Sequence, residues 1–77
     1  MKKVSIYTTP TCHFCHMAKE FFKAHNVAFQ EFNVATDLEK RKEMIERSGQ
    51  MGVPVIDIDG ELMVGFDEMA LAHALGV

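Results

Sequence analysis

Seventy-seven residues make one small domain with a thin core, and eight Lys and Arg against eleven Asp and Glu leave a net charge of −3. That balance lacks the basic footprint of a nucleic-acid binder or of a protein drawn to anionic membranes, and no apolar run approaches the ~20 residues of a membrane span. No long apolar segment or small-residue cleavage site follows Met1-Lys2-Lys3, so a reducing, cytoplasmic location is the default expectation.

Val4, Ile6 and Thr8 alternate with Ser5 and Tyr7, which predicts a first strand closed by Thr9-Pro10-Thr11. A helix is predicted to begin near Cys12. Phe14, Ala18, Phe21, Phe22 and His25 recur at helical spacing as its inward stripe, with Lys19, Glu20 and Lys23 on the wet side. Asn26 suits a left-handed stop. Residues 28–34, rich in Phe and Val, read as a second strand. Thr36-Asp37-Leu38-Glu39 has the form of a capping box with Thr36 as the cap. The charged helix it opens turns Leu38, Ile45 and Met44 inward and stops at Ser48-Gly49.

Residues 53–58 read as a third strand, with Pro54 near its beginning, where a missing amide does least harm. Asp59-Gly60 signals a type I′ hairpin, since that turn needs positive φ at both central positions. Residues 61–64 return as a fourth strand. Asp67 then caps a last helix with Leu71, Ala74 and Leu75 inside. The order β-α-β-α-β-β-α predicts an α/β fold: a four-stranded mixed sheet and three helices in one domain over residues 1–77. A right-handed crossover sets the first two strands parallel.

The chain has two cysteines, Cys12 and Cys15. A bridge between them closes a loop too short to restrain the unfolded chain, so chemistry explains the pair better than stapling. At a strand-to-helix junction, the unpaired amides and dipole of the helix start favour a thiolate on Cys12. Cys15, one turn further in, is placed to attack a mixed disulfide formed there. A protonated His13 would stabilise that thiolate further. Two alternatives use the same residues. Both cysteines could be small core hydrophobes, and Cys12-His13-Phe14-Cys15-His16 matches the c-type haem attachment signature. A metal, haem or iron–sulfur binding module is therefore the competing class. Haem needs an oxidising compartment and spare volume, and zinc needs a second ligand pair, so neither a bound cofactor nor a metal is expected.

In Tyr7 to Cys15, in Gly52-Val53-Pro54-Val55 and in Gly65-Phe66-Asp67, the chain resembles glutaredoxins of the thioredoxin superfamily along almost its whole length. The resemblance implies a thioredoxin-like fold and a dithiol protein-disulfide reductase with Cys12 as nucleophile and Cys15 as resolving thiol. It also implies a cis Val53–Pro54 bond facing the pair, where local sequence alone would favour trans. The substrate-binding set it implies is Tyr7, Phe14, Val53, Pro54, Gly65 and Asp67, with Gly65 and Asp67 receiving the γ-glutamyl end of glutathione. Asp67 as a helix cap and nothing more explains the same residue equally well. The implied partners are disulfide-containing proteins and a reductant, either glutathione as co-substrate or thioredoxin reductase. No nucleic acid or membrane is expected, and the expected state is a monomer. Three positions depart from the common family pattern. His13-Phe14 replaces Pro-Tyr, Thr9 stands where many members carry lysine, and Phe66 resembles redoxins that are reduced by thioredoxin reductase.

Overall fold

A computed structural model describes residues 2–77. Its elements are β1 (Val4–Thr8), α1 (His13–Ala24), β2 (Gln30–Asn33), α2 (Leu38–Ser48), β3 (Val55–Ile58), β4 (Glu61–Val64) and α3 (Glu68–Leu75). The strands form one sheet in the order β2-β1-β3-β4. β2 runs parallel to β1, β3 antiparallel to β1, and β4 antiparallel to β3. This is the expected mixed sheet with three helices.

The alternation in β1 divides the core between the two faces of the sheet. Val4 and Ile6 face one side, opposite Ile58 and Ile56 in register, and pack with Ala18, Phe21 and Phe22 of α1 and Leu71 of α3. Tyr7 and its register partner Val55 face the other side and pack with Val34, just past β2, and with Met44 of α2. Removing these side chains from water is the main favourable term, at about 25 cal/mol per Å² of apolar surface. Asp59 (φ 52°) and Gly60 (φ 91°) form the turn between β3 and β4 with positive φ at both positions, as expected.

Several sequence expectations move by a residue or a face. The cap of α2 is Asp37, whose carboxylate accepts the Lys40 amide at 3.0 Å, not Thr36. The reason lies upstream. The Asn33 carbonyl accepts the amides of Thr36 (3.3 Å) and Asp37 (2.9 Å), and Asn33 Oδ1 accepts the Ala35 amide, so Thr36 is consumed by the turn. Leu38 consequently sits at the first helical position and is 70% exposed, while Met44 is the fully buried residue of α2. Phe14, expected on the inward stripe, is also exposed, in the first turn of α1. His25 lies beyond the last residue of α1 and rests on the Phe21 ring, with centroids 4.4 Å apart. The second and third strands begin later than expected, at Gln30 and Val55, leaving Phe29 to pack on Phe22.

Candidate functional site

Strand register brings the three sequence motifs to one end of the sheet. Tyr7 pairs with Val55 in antiparallel register, so the segment leaving β1 and the segment entering β3 lie at the same edge. Val55 pairs with Val64, which puts Gly65 there too, and the Gly65 amide donates to the Pro54 carbonyl at 2.8 Å. Cys12–Cys15, Val53–Pro54 and Gly65–Asp67 therefore converge, although they are separated by some fifty residues of chain. The Val53–Pro54 bond is cis, as the resemblance implied.

Cys12 is the cap residue of α1, with extended backbone (φ −85°, ψ 110°), and its Sγ accepts the Cys15 amide at 3.1 Å. The sulfur thus takes the place that a Ser or Asp oxygen holds at an ordinary helix start. It sits where the unpaired amides and the positive end of the helix dipole stabilise negative charge. Cys15 is 1% exposed, whereas Cys12 is only half-buried. The two are joined as a disulfide with Cα atoms 5.2 Å apart. Their burial gives the pair a polarity: Cys12 is the partly exposed member and Cys15 the enclosed one.

The other anticipated residues fall into two groups. His13 and Phe14 turn outward between the cysteines, with ring centroids 5.6 Å apart. Pro54 is buried, Val53 and Gly65 are half-buried, and Asp67 is exposed. Asp67 caps α3 by accepting the Ala70 amide at 3.2 Å. All of these border the redox pair's end of the sheet. Tyr7 stands at that end too, in register with Val55, but its side chain is buried on the opposite face, which does not fit the expected substrate contact. It is 1% exposed beneath α2, and its hydroxyl accepts a hydrogen bond from Arg47 Nη1 at 3.1 Å. The period of two in β1 places residue 7 on the α2 face, so its ring is core.

Sequence reasoning missed a polar cluster beneath α1. Thr8, 1% exposed, donates from Oγ1 to Glu31 Oε2 at 2.7 Å, and Lys19 Nζ reaches the same oxygen at 3.0 Å. The Thr8 hydrogen bond above all holds the Glu31 carboxyl below the usual range, against the opposing effect of partial burial and with help from Lys19. Lys19 is one helical turn past Cys15, so the cluster ties the redox-bearing helix to β1 and β2. The signal was a threonine on a buried strand face, which needs an acceptor.

Six of the seven exposed large hydrophobics among the described residues lie at this same end: Phe14, Met17, Leu38, Met51, Val64 and Met69. They stand in the first two turns of α1, in the first turns of α2 and α3, at the end of β4 or in the loop before β3. Exposed apolar side chains gathered at the end of the sheet that carries the redox pair are suited to contact with another macromolecule. Among the described residues, no group of three or more His, Cys, Asp or Glu side chains could hold a metal ion, and no helix is long and apolar enough to cross a membrane.

Comparison with known proteins agrees with this geometry. The glutaredoxin family model matches residues 4–63. The chain is 49% identical over 65 residues to a glutaredoxin-like protein of the rubredoxin operon of Clostridium pasteurianum, covering 84% of this chain and 87% of that one. It is 42% identical over 76 residues to glutaredoxin 3 of Escherichia coli, covering 99% and 92% respectively. A crystallised mutant of the thioredoxin-like protein BC3987 superposes with a TM-score of 0.92 at 36% identity, covering 100% of this chain and 99% of that one. The chain belongs to the glutaredoxin family of thiol–disulfide oxidoreductases, in the thioredoxin superfamily.

Proposed function

We propose that this chain reduces protein disulfides and glutathione mixed disulfides by a dithiol cycle, with Cys12 as the nucleophile and Cys15 as the resolving thiol. The observation that carries this reading is the asymmetry of the pair. Cys12 Sγ caps the helix and is partly exposed, and Cys15 lies buried one turn behind it. In the reduced protein, Cys12 releases its proton to solvent, and the thiolate is stabilised by the Cys15 amide and the helix start. It attacks one sulfur of a substrate disulfide R–S–S–R′. A Cys12–S–S–R bond forms, and R′–S⁻ leaves and takes a proton from solvent. Cys15 then loses its proton and attacks the Cys12 sulfur. The second bond breaks, R–S⁻ departs, and the Cys12–Cys15 disulfide remains. The two electrons given up are restored by glutathione or by thioredoxin reductase.

Phe14, Val53, Pro54, Gly65 and Asp67 border the pair and are the proposed substrate contacts. His13 is the proposed source of further thiolate stabilisation. The amides at the start of α3 suit a substrate carboxylate. In this reading the chain acts as a monomer without a resident cofactor, in a reducing compartment such as the cytoplasm. The test is turnover of hydroxyethyl disulfide with NADPH, supplied through either glutathione and its reductase or thioredoxin reductase. Cys12→Ser is expected to fall to background in both systems. Cys15→Ser is expected to accumulate a mixed disulfide with a substrate protein. Turnover retained by Cys12→Ser would overturn the reading, and the system that supports turnover in the unmodified protein identifies the reductant.

A further inference from the structure

A groove of about 420 Å³ runs down the outer side of α1, opposite the start of α3. Its α1 wall is Met17, Glu20, Phe21 and Ala24, and Phe66 and Glu68 stand across from them. We infer that this groove docks a segment of the protein substrate that flanks the target cysteine, carrying apolar side chains beside a basic one. The inference rests on the dithiol reading above and adds a substrate class to it.

The first argument is continuity. Met17 is two residues past Cys15, and His16 also lines the groove, so its lining begins at the residue after Cys15 along α1. Across from it, Phe66 follows Gly65, whose amide is bonded to the Pro54 carbonyl. A polypeptide whose disulfide meets Cys12 at the start of α1 has the first groove residue, His16, one helical turn away. Met17 belongs both to the groove and to the exposed apolar residues at this end of the sheet.

The second argument is the floor. Phe21 is 7% exposed and sits edge-on to Phe66, with centroids 6.3 Å apart. Met17 is 39% exposed. Aromatic and thioether surfaces of this kind gain from covering by leucine-like side chains, and the volume lies within the ~300–1,000 Å³ typical of binding pockets.

The third argument is charge. Glu20 and Glu68 put two carboxylates on the rim, and the chain as a whole carries −3. Lys23, 3.9 Å from Glu20, offsets part of that charge, and His16 and His25 complete the lining, so the rim's excess of negative charge rests chiefly on Glu68. A rim of this sign favours lysine or arginine in the occupant. It disfavours free glutathione, which brings two carboxylates against one ammonium. The groove therefore selects a polypeptide.

The test avoids any assumption about the reductant. The protein is reduced, freed of reductant and mixed with one of three short peptides, each closed by an intramolecular disulfide and followed by Leu-Arg-Leu, Leu-Asp-Leu or Ser-Ser-Ser. Second-order rate constants are measured by rapid quench, with hydroxyethyl disulfide as a substrate too small to reach the groove. Leu-Arg-Leu is expected to react about tenfold faster than Ser-Ser-Ser, the gain from partly burying one leucine. Leu-Asp-Leu is expected to react more slowly than Leu-Arg-Leu. Ala24→Trp, which fills the lower end of the groove from an exposed position, is expected to remove the leucine advantage. Glu20→Lys is expected to reverse the order of the two leucine peptides. Both variants keep the hydroxyethyl disulfide rate, which shows that they fold. Equal rates for the three peptides, with hydroxyethyl disulfide still reduced, would overturn the groove and leave the dithiol cycle standing. Failure to reduce hydroxyethyl disulfide would overturn the dithiol cycle itself.

Discussion

Arg47→Met tests how α2 is held on the sheet. Only Met44 of α2 is fully buried, so apolar packing alone holds the helix weakly. Arg47 compensates with two contacts: Nη1 donates to the buried Tyr7 hydroxyl at 3.1 Å, and Nη2 meets Asp57 Oδ2 on β3 at 2.9 Å. Methionine keeps the apolar stem and removes both. The Asp57 pair is worth little, since the Arg47 side chain is 32% exposed and that of Asp57 18%. The Tyr7 hydroxyl decides the magnitude. Tyr7 is 1% exposed, so losing its charged donor strands a buried polar group, at a cost of about 2 kcal/mol. For a domain of this size that lowers Tm by roughly 10 °C. Tyr7→Phe removes the stranded group itself. The double variant is therefore expected to be more stable than the sum of the two single effects implies, by about 1 kcal/mol. Urea and thermal unfolding of the oxidised protein, followed by far-ultraviolet circular dichroism, measure all four forms. Strict additivity would refute the claim that Arg47 acts through Tyr7.

Glu31 makes stability depend on pH. Its folded carboxyl titrates below the ordinary 4.5, so its contribution is present above that value and fades as pH falls through the folded one. Glu31→Gln should therefore lower stability at neutral pH and flatten the acid limb; denaturation curves that stay parallel down to low pH would exclude the Thr8 and Lys19 contacts as the cause. Gly60→Ala meets no atom within 4 Å, yet φ is +91°, so unfolding should register a loss of about 1 kcal/mol from conformation alone. Gly52→Ala, with negative or extended φ and one side-chain neighbour at 3.6 Å, serves as the tolerated comparison. Asp67→Ala should cost about 1 kcal/mol through the lost cap, and Asp67→Asn should retain most of it. A raised KM for glutathione mixed disulfides in the Asn variant, at unchanged stability, would separate substrate binding from capping.

The sheet was legible because β1 states its faces in its own alternation, and Asp59-Gly60 states its turn. The register of α2 was not. Asn33, Thr36 and Asp37 each carry an oxygen able to cap a helix, and the choice fell to Asp37 because the Asn33 turn had already engaged Thr36. The buried stripe of α2 centres on Met44, about 100° of helical rotation from the stripe of Leu38 and Ile45, and Leu38, at the first helical position, faces solvent. The redox pair was legible from spacing, since the helix start and the second cysteine one turn later are local features. The cis Val53–Pro54 bond was not, because local chemistry favours trans and only the resemblance implied otherwise. Tyr7 entered the substrate set through the resemblance, and in the fold its ring is buried on the α2 face of β1.

The contacts that escaped the sequence share a physical form. Thr8 meets Glu31 across 23 residues of chain, and Arg47 meets Tyr7 across 40, each joining a strand residue to a group that no local pattern selects. Hydrophobic periodicity chooses which face of a helix is buried, but it leaves the helix free to slide and turn on an apolar surface. A hydrogen bond between partly buried polar groups removes that freedom, because a small displacement leaves a donor or acceptor unpaired. Lys19 does this for α1 through Glu31, and Arg47 does it for α2 through Tyr7 and Asp57. Since Lys19 stands one turn beyond Cys15, the position of the redox turn relative to the sheet depends on the polar cluster as well as on Phe21 and Phe22. The spacing of the cysteines provides for disulfide exchange between them, and the long-range polar contacts hold that spacing beside Pro54 and the groove.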